Sequence, residues 1–322
     1  MLDKYSYFIT LAEEENIVKA AEKLFVSHQC LSKYLKRLEK EYNATFFDRN
    51  PRLSITPAGM AYLETVRQVR DLHDNLVDQL ANIQDSKKGI LRFGTTEARY
   101  RILVPAFVPK YKKLYPDVTL ETRYGSTAEL CDAILNNKLD VALLNQSAKA
   151  HNQLDMRPVL EEKLYLVISD EMLQQYFPET WPYCKYTFRR GINLKDFNHV
   201  PFVFSSKKAN MAKQVLEPYL QFYQIELSNV AEIEQSDLQY MLTAQSYAAS
   251  FCWSMYIPTI LRENKTGEYD HLNIYPINDP LGRNRLMMVT RKGKYFQEYG
   301  KKFMKMVKNT CITYSEMELD DD

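Results

Sequence analysis

The side chains of this chain best suited to chemistry sit in one short run, Ser27-His28-Gln29-Cys30-Leu31-Ser32-Lys33-Tyr34-Leu35-Lys36-Arg37-Leu38-Glu39-Lys40. At helical spacing Leu31, Tyr34, Leu35 and Leu38 share one side. His28, Gln29, Ser32, Lys33, Lys36 and Lys40 share the other, with Arg37 at its edge. The apolar side suits docking on a small core. The opposite side carries cations that neutralise phosphates, beside amide and hydroxyl groups that both donate and accept and so can read base edges. That is the chemistry of a helix entering the major groove of DNA. Taken alone, the run also describes an ordinary solvated amphipathic helix, and the neighbouring sequence decides between the two.

Upstream, Tyr5, Phe8, Ile9 and Leu11-Ala12 repeat at helical spacing. Asn16 offers an N-cap to a second helix, Val18 to Leu24, with a small-residue face. Phe25-Val26 makes the turn and Ser27 caps the third helix, which together predict a helix-turn-helix. Downstream, Thr45 to Arg49 and Leu53 to Thr56 predict two short strands around the tip Asn50-Pro51, a wing that aims Arg49 and Arg52 at phosphates or the minor groove. Between Lys19 and Thr56 eight Lys/Arg face four acids, a local excess of four positive charges in a chain whose net charge is +1.

The run Ala20-Ala21-Glu22-Lys23-Leu24-Phe25-Val26-Ser27, then Leu31-Ser32-Lys33, Leu35-Lys36-Arg37-Leu38-Glu39, Phe46-Phe47-Asp48-Arg49 and Thr56-Pro57-Ala58-Gly59 resembles the winged helix-turn-helix of LysR-type transcriptional regulators. The resemblance implies sequence-specific DNA binding through Ser27, His28, Gln29, Ser32, Lys33, Lys36, Arg37, Arg49 and Arg52. The chain departs from the family at His28-Gln29, at Cys30, and at Glu15-Asn16-Ile17, where a Gly-Ser-Phe-like turn is usual.

Thr56-Pro57 is a good helix start, a capping hydroxyl followed by proline at the first helical position. The helix should run to about Asp85. Within it Tyr62, Val66, Val69, His73, Leu76, Leu80 and Ile83 alternate spacings of four and three, a heptad seam. We expect Val66, Val69, His73, Leu76, Leu80 and Ile83 to pair two copies, as the corresponding helix does in regulators of this type; packing on the chain's own next domain is the alternative.

After Lys87-Lys88-Gly89 the rhythm changes. Strands are predicted at 90–93, 118–122, 141–144, 164–168, 201–204, 248–253 and 286–290, and helices at 102–114, 127–136, 209–223, 236–244 and 295–307. Alternating strands and helices imply parallel strands with right-handed crossovers. So many strands fit two α/β lobes better than one sheet, with crossings near Glu161 to Leu164 and Leu272 to Pro276. Leu103-Val104-Pro105, Tyr111, Tyr115-Pro116-Asp117-Val118, Gly125-Ser126 and Leu139-Asp140-Val141-Ala142 resemble the family's effector domain, whose fold is that of periplasmic binding proteins. The expected order is a winged helix-turn-helix over 1–58, a linker helix over 59–88, an effector domain over 89–315 and an acidic tail over 316–322. Lobe I would take 89–163 and 272–315, and lobe II 164–271.

Ligands of open α/β sheets bind where strand ends meet helix N-termini. Thr95, Thr96, Ser126, Thr127 and Ser205 lie at such ends. Their hydroxyls, with free helix N–H groups, favour an anionic metabolite. Trp253, Arg99 and Arg101 are weaker candidates, and ordinary capping or core packing is the plain alternative for each. Where the family often has a Gly-rich turn before residue 248, this chain has Gln245-Ser246-Tyr247.

The totals exclude other classes. At 322 residues, 45% hydrophobic and 26% charged, the chain has apolar material for two or three cores. Five scattered cysteines, Cys30, Cys131, Cys184, Cys252 and Cys311, include no Cys-x-x-Cys pair, so neither a zinc site nor a disulfide framework is indicated and a reducing cytoplasm is expected. No apolar run has membrane or signal length. Nine glycines form no phosphate loop, and five dispersed histidines join no catalytic motif, so no enzyme and no cofactor is predicted. A solute-binding protein without DNA function and a thiol-based peroxide sensor of the same family are the competing readings. Implied partners are duplex DNA, a small-molecule effector, further copies of the chain as a dimer or tetramer, and RNA polymerase, with no membrane.

Overall fold

The computed structural model describes residues 3–49, 52–84, 88–146, 151–205, 211–278 and 283–315. The chain divides into two units, one holding the N-terminal helices and wing, the other beginning at Lys87.

In the first unit, α1 (Asp3–Glu14), α2 (Ile17–Lys23) and α3 (His28–Tyr42) are followed by the paired strands β1 (Phe47–Asp48) and β2 (Ser54–Ile55) and by α4 (Pro57–Gln84). Local sequence sets each boundary. Asn16 Oδ1 accepts from the amides of Val18 and Lys19 at 2.9 and 3.1 Å, which starts α2. Asn43 adopts the left-handed conformation that ends α3. Thr56 Oγ1 accepts from Gly59 N at 3.0 Å and starts α4. Gly59 must lack a side chain, because a Cβ there would run into the Phe46 carbonyl oxygen. Phe8, Leu11, Leu31, Leu35 and Phe47 form a core closed by ring contacts of Phe8 with Phe46 and Tyr62.

One seam assignment is corrected here. Val66 is 2% exposed and belongs to this core, with Leu63 beside it and Tyr62 packed against it. The apolar stripe left uncovered within the unit starts further along, at Leu72, Leu76 and Leu80. Val69 is half-buried and His73 exposed. The side chain of Ile83 lies outside the described residues, as do the wing tip Asn50-Pro51, Ser206 and the tail 316–322.

The second unit runs β3 (Gly89–Thr95), α5 (Glu97–Leu114), β4 (Val118–Tyr124), α6 (Thr127–Leu135), β5 (Val141–Asn145) and β6 (Leu154–Ser169). It continues with α7 (Asp170–Tyr176), α8 (Cys184–Arg189), β7 (Pro201–Phe204), α9 (Met211–Tyr223), β8 (Ser228–Glu232), α10 (Ser236–Ala244), β9 (Ser250–Trp253), α11 (Ile257–Asn264), β10 (Leu272–Pro276), β11 (Arg283–Arg291) and α12 (Glu298–Ser315). The main sheet has the order β10-β6-β11-β5-β3-β4, with β9 also on β6, and β7-β8 form a separate parallel pair.

The expectation of parallel strands holds for β3 with β4 and β5, and for β7 with β8. It fails for β6, β9, β10 and β11, which pair antiparallel. The reason is β6, a 16-residue strand that serves both lobes. Its first part pairs with β11 through Lys163, and from Leu164 onward it pairs with β9 and β10. The lobe boundary moves accordingly. Leu272–Pro276 pairs with Tyr165–Ser169 and so belongs to lobe II, and the chain returns to lobe I only with β11. Lobe II closes around Phe197, Phe202, Phe251 and Tyr275. In lobe I, Phe93, Phe107 and Phe303 meet edge to face.

Candidate nucleic-acid interface and effector domain

Helix α3 divides as its sequence predicts. Leu31, Tyr34, Leu35 and Leu38 are buried, while His28, Gln29, Lys33, Lys36, Arg37 and Lys40 are exposed and Ser32 is half-exposed. No ion pair within the described residues engages Lys33, Lys36, Arg37 or Lys40, so their charge is available to phosphates. Ser27 is exposed, but its Oγ accepts from Cys30 N at 3.2 Å and works as the N-cap. Arg52 is exposed beside the wing, whereas Arg49 is partly held by Glu39, Nη2 to Oε2 at 3.4 Å. The other oxygen of Glu39 accepts from Phe46 N at 2.9 Å and Phe47 N at 3.4 Å. One carboxylate on α3 thus fixes the root of the wing, a role the sequence pattern did not reveal.

None of the six effector candidates lines the cavity beside α5. Thr95 is fully buried and its Oγ1 donates to the Leu143 carbonyl at 2.8 Å, a tie between β3 and β5. Trp253 is buried in the lobe II core, and Ser205 is buried as well. Ser126 caps α6 in a closed capping box: Glu129 N donates to Ser126 Oγ at 3.3 Å, and Glu129 Oε2 accepts from Ser126 N and Oγ, both at 2.8 Å. These bonds, the backbone one foremost, hold the Glu129 carboxyl below the usual carboxylate range. The anion at this helix N-terminus is therefore supplied by the chain itself. Thr127 follows, half-buried. Thr96 is the N-cap of α5 but makes no side-chain capping bond; its Oγ1 accepts from Arg99 Nη1 at 3.3 Å.

Arg99 belongs to a polar cluster that sequence reading missed. Its Nη2 lies 2.5 Å from Glu162 Oε2, with side chains 5% and 0% exposed. Asn284 Nδ2 donates to the same oxygen at 3.0 Å and to Asn145 Oδ1 at 2.8 Å. Burial, the largest influence, works against the guanidinium charge, but the Glu162 carboxylate together with Tyr256 and Cys311 holds Arg99 above its ordinary pKa. Arg99 Nε, Glu162 Oε1 and Asn284 Oδ1 have no partner among the described residues. The cluster lies where β6 passes between lobes. A cavity of about 260 Å³ opens nearby against α5, lined by none of the six candidates.

Burial raises the thiols of Cys131, Cys184, Cys252 and Cys311, with Cys311 pushed up to about 12. That is the direction opposite to a peroxide-reactive thiol. Among the described residues no group of three or more His, Cys, Asp or Glu could hold a metal ion, and no helix is long and apolar enough to cross a membrane.

Residues 2–60 match the family model for the bacterial regulatory helix-turn-helix protein, lysR family, and residues 84–312 match the LysR substrate binding domain. HTH-type transcriptional regulator CysL of Bacillus subtilis is 26% identical over 170 residues, 52% of this chain and 56% of that protein. A probable RuBisCO transcriptional regulator of Chlorokybus atmophyticus is 24% identical over 312 residues, 94% of this chain and 92% of that one. Among solved structures, full-length CbnR complexed with its target DNA superimposes with a TM-score of 0.53 at 18% identity, covering 96% of this chain and 99% of that chain. A full-length OxyR variant from Pseudomonas aeruginosa gives 0.64 at 17% identity, covering 97% and 94%. With both of its units matched in order, the chain belongs to the LysR family of regulators.

Proposed function

We propose that this protein is a sequence-specific transcriptional regulator whose helix α3 enters the major groove of its operator and whose effector domain responds to a small anionic metabolite. The observation that carries the reading is the division of α3, with four apolar side chains buried and His28, Gln29, Lys33, Lys36 and Arg37 turned to solvent. Gln29 and His28 would read base edges, the cations would meet phosphates, and Arg52 would reach the backbone from the wing. That CbnR is found on its target DNA supports the same use of this fold here. The exposed stripe of Leu72, Leu76 and Leu80 on α4 would pair two copies, so that two α3 helices read a two-fold site.

For the effector, Thr96 is the candidate that the geometry favours. The N-terminus of α6 already holds Glu129, whereas α5 begins at Thr96 without a side-chain cap. An anion there would sit at the end of β3, against the start of α5. It would shift regulation only if it bound one lobe arrangement better than the other. The compartment is the cytoplasm, where the operator is. Footprinting of purified full-length protein on genomic fragments at low ionic strength, with and without candidate metabolites, tests the reading. A protected two-fold site is expected, and indifference to every fragment would overturn it.

A further inference from the structure

We propose that the cavity beside α5 is a small-molecule site separate from Thr96 and the other strand-end positions, and that it takes a compact hydrophobic monocarboxylate. The cavity, about 260 Å³, sits at the small end of metabolite pockets. Its floor is the face of α5 carrying Ala98, Ile102 and Pro105, which offers no polar side-chain atom. Ala98 and Ile102 also pack against the lobe II core, which fixes that floor in place. Tyr240 and Tyr256 also line the cavity. Burial pushes Tyr240 up to about 12 and Tyr256 in the same direction, so both phenols remain neutral, with the Tyr256 hydroxyl engaged by Ser236.

Charge decides the ligand class. Arg101 lies 3.2 Å from Glu97 Oε1 and 3.2 Å from Asp237 Oδ2, so its cation is met twice and Asp237 is engaged. Arg262, an exposed residue of α11, meets no carboxylate among the described residues. The cavity therefore combines an apolar floor, uncharged phenol rings and one guanidinium that meets no carboxylate among the described residues. A ligand with an apolar body and a single carboxylate satisfies all three, and a polyanion would leave charge unpaired against Asp237. Lobe I contributes α5 and the end of α12, with Tyr314, while lobe II contributes α10 and α11. An occupant would touch both lobes and so bias their arrangement by its own differential affinity.

Purified full-length protein, free of DNA, is titrated with 4-fluorophenylacetate while its fluorine NMR line width is followed, with 4-fluorophenylacetamide as the neutral comparison. Saturable broadening with Kd below about 1 mM is expected for the acid, and binding about tenfold weaker for the amide. Arg262→Gln, an exposed position, should weaken the acid about tenfold and leave the amide unchanged. Ala106→Phe fills the cavity and should abolish both, with its melting temperature confirming that it folds; if it does not fold, Arg262→Gln decides. No saturable broadening up to about 10 mM overturns the proposal. So does equal binding of acid and amide, or a folded Ala106→Phe variant that binds as before.

Discussion

Replacing Glu162 by leucine should cost the effector domain more stability than replacing Glu162 and Arg99 together. The two side chains are 0% and 5% exposed and meet at 2.5 Å. Glu162→Leu leaves the guanidinium buried, its Nε without a partner and its remaining described contact the Thr96 hydroxyl at 3.3 Å. Breaking one side of a buried pair costs about 3–5 kcal/mol, because a charge is left in low dielectric without compensation. For a unit of this size that lowers Tm by about 6–20 °C. In the double variant Arg99→Met/Glu162→Leu no charge is stranded. What is lost is the bond from Asn284 Nδ2, which keeps its second acceptor, Asn145 Oδ1 at 2.8 Å, and the bond from Arg99 to Thr96 Oγ1. Each loss is worth about 1 kcal/mol, and packing of the new apolar pair offsets part of it.

The assay is favoured by the placement of the two tryptophans. Trp181 and Trp253 both lie in the second unit, so intrinsic fluorescence during urea or thermal unfolding reports on that unit and not on the DNA-binding one. The single variant should melt well below the double. A single variant within about 1 kcal/mol of the parent, or a double variant less stable than the single, would refute the account of a buried, mutually compensating pair.

Lys36→Ala should weaken binding to every DNA sequence and flatten the dependence of log affinity on log salt by about one unit, measured by anisotropy; an unchanged slope means Lys36 touches no phosphate. Glu15 is exposed and sits at φ 45°, the conformation glycine adopts without strain. Glu15→Gly should therefore stabilise the DNA-binding unit by about 0.5–1 kcal/mol in urea titrations followed by circular dichroism, and a loss of stability would show that no strain was held there. Leu76 is 51% exposed on the uncovered stripe of α4, so Leu76→Lys should shift sedimentation toward the monomer. Undisturbed oligomers would remove α4 from the pairing surface.

What the sequence made legible follows from how local each signal is. The stripe of Leu31, Tyr34, Leu35 and Leu38 spans two turns of one helix and predicted its burial correctly. The caps at Asn16, Ser27 and Thr56 are equally local and all form. The heptad on α4 misled at Val66 because a period of 3.5 says only that a face is buried, not by what. Near the start of α4 the chain's own Phe8 and Leu31 core takes that face, and only beyond it does the stripe stay open. Strand β6 was seen only from Leu164 onward because Arg157, Pro158, Glu161 and Glu162 interrupt any apolar run in its first part. Glu162 is buried in that strand only because Arg99, 63 positions away, meets it. No window of sequence contains both.

The departures from the family pattern carry a physical lesson of the same kind. Ser246, in the turn Gln245-Ser246-Tyr247 before β9, takes φ 56°, a left-handed conformation that strains a side-chain-bearing residue. Its hydroxyl donates to Asp270 Oδ2 at 3.2 Å and accepts from Ser169 Oγ at 2.8 Å, so two hydrogen bonds at the side chain offset what the backbone loses. Those bonds reach the end of β6 and the segment entering β10, the two strands that pair in lobe II. A glycine would fit the turn and leave these strands untied at that point. The serine accepts a local strain and in return joins the turn before β9 to its neighbours. The same logic governs the N-terminus of α6, where Glu129 occupies the position an external anion would take. In both places the chain uses its own polar groups where a more permissive sequence would leave room.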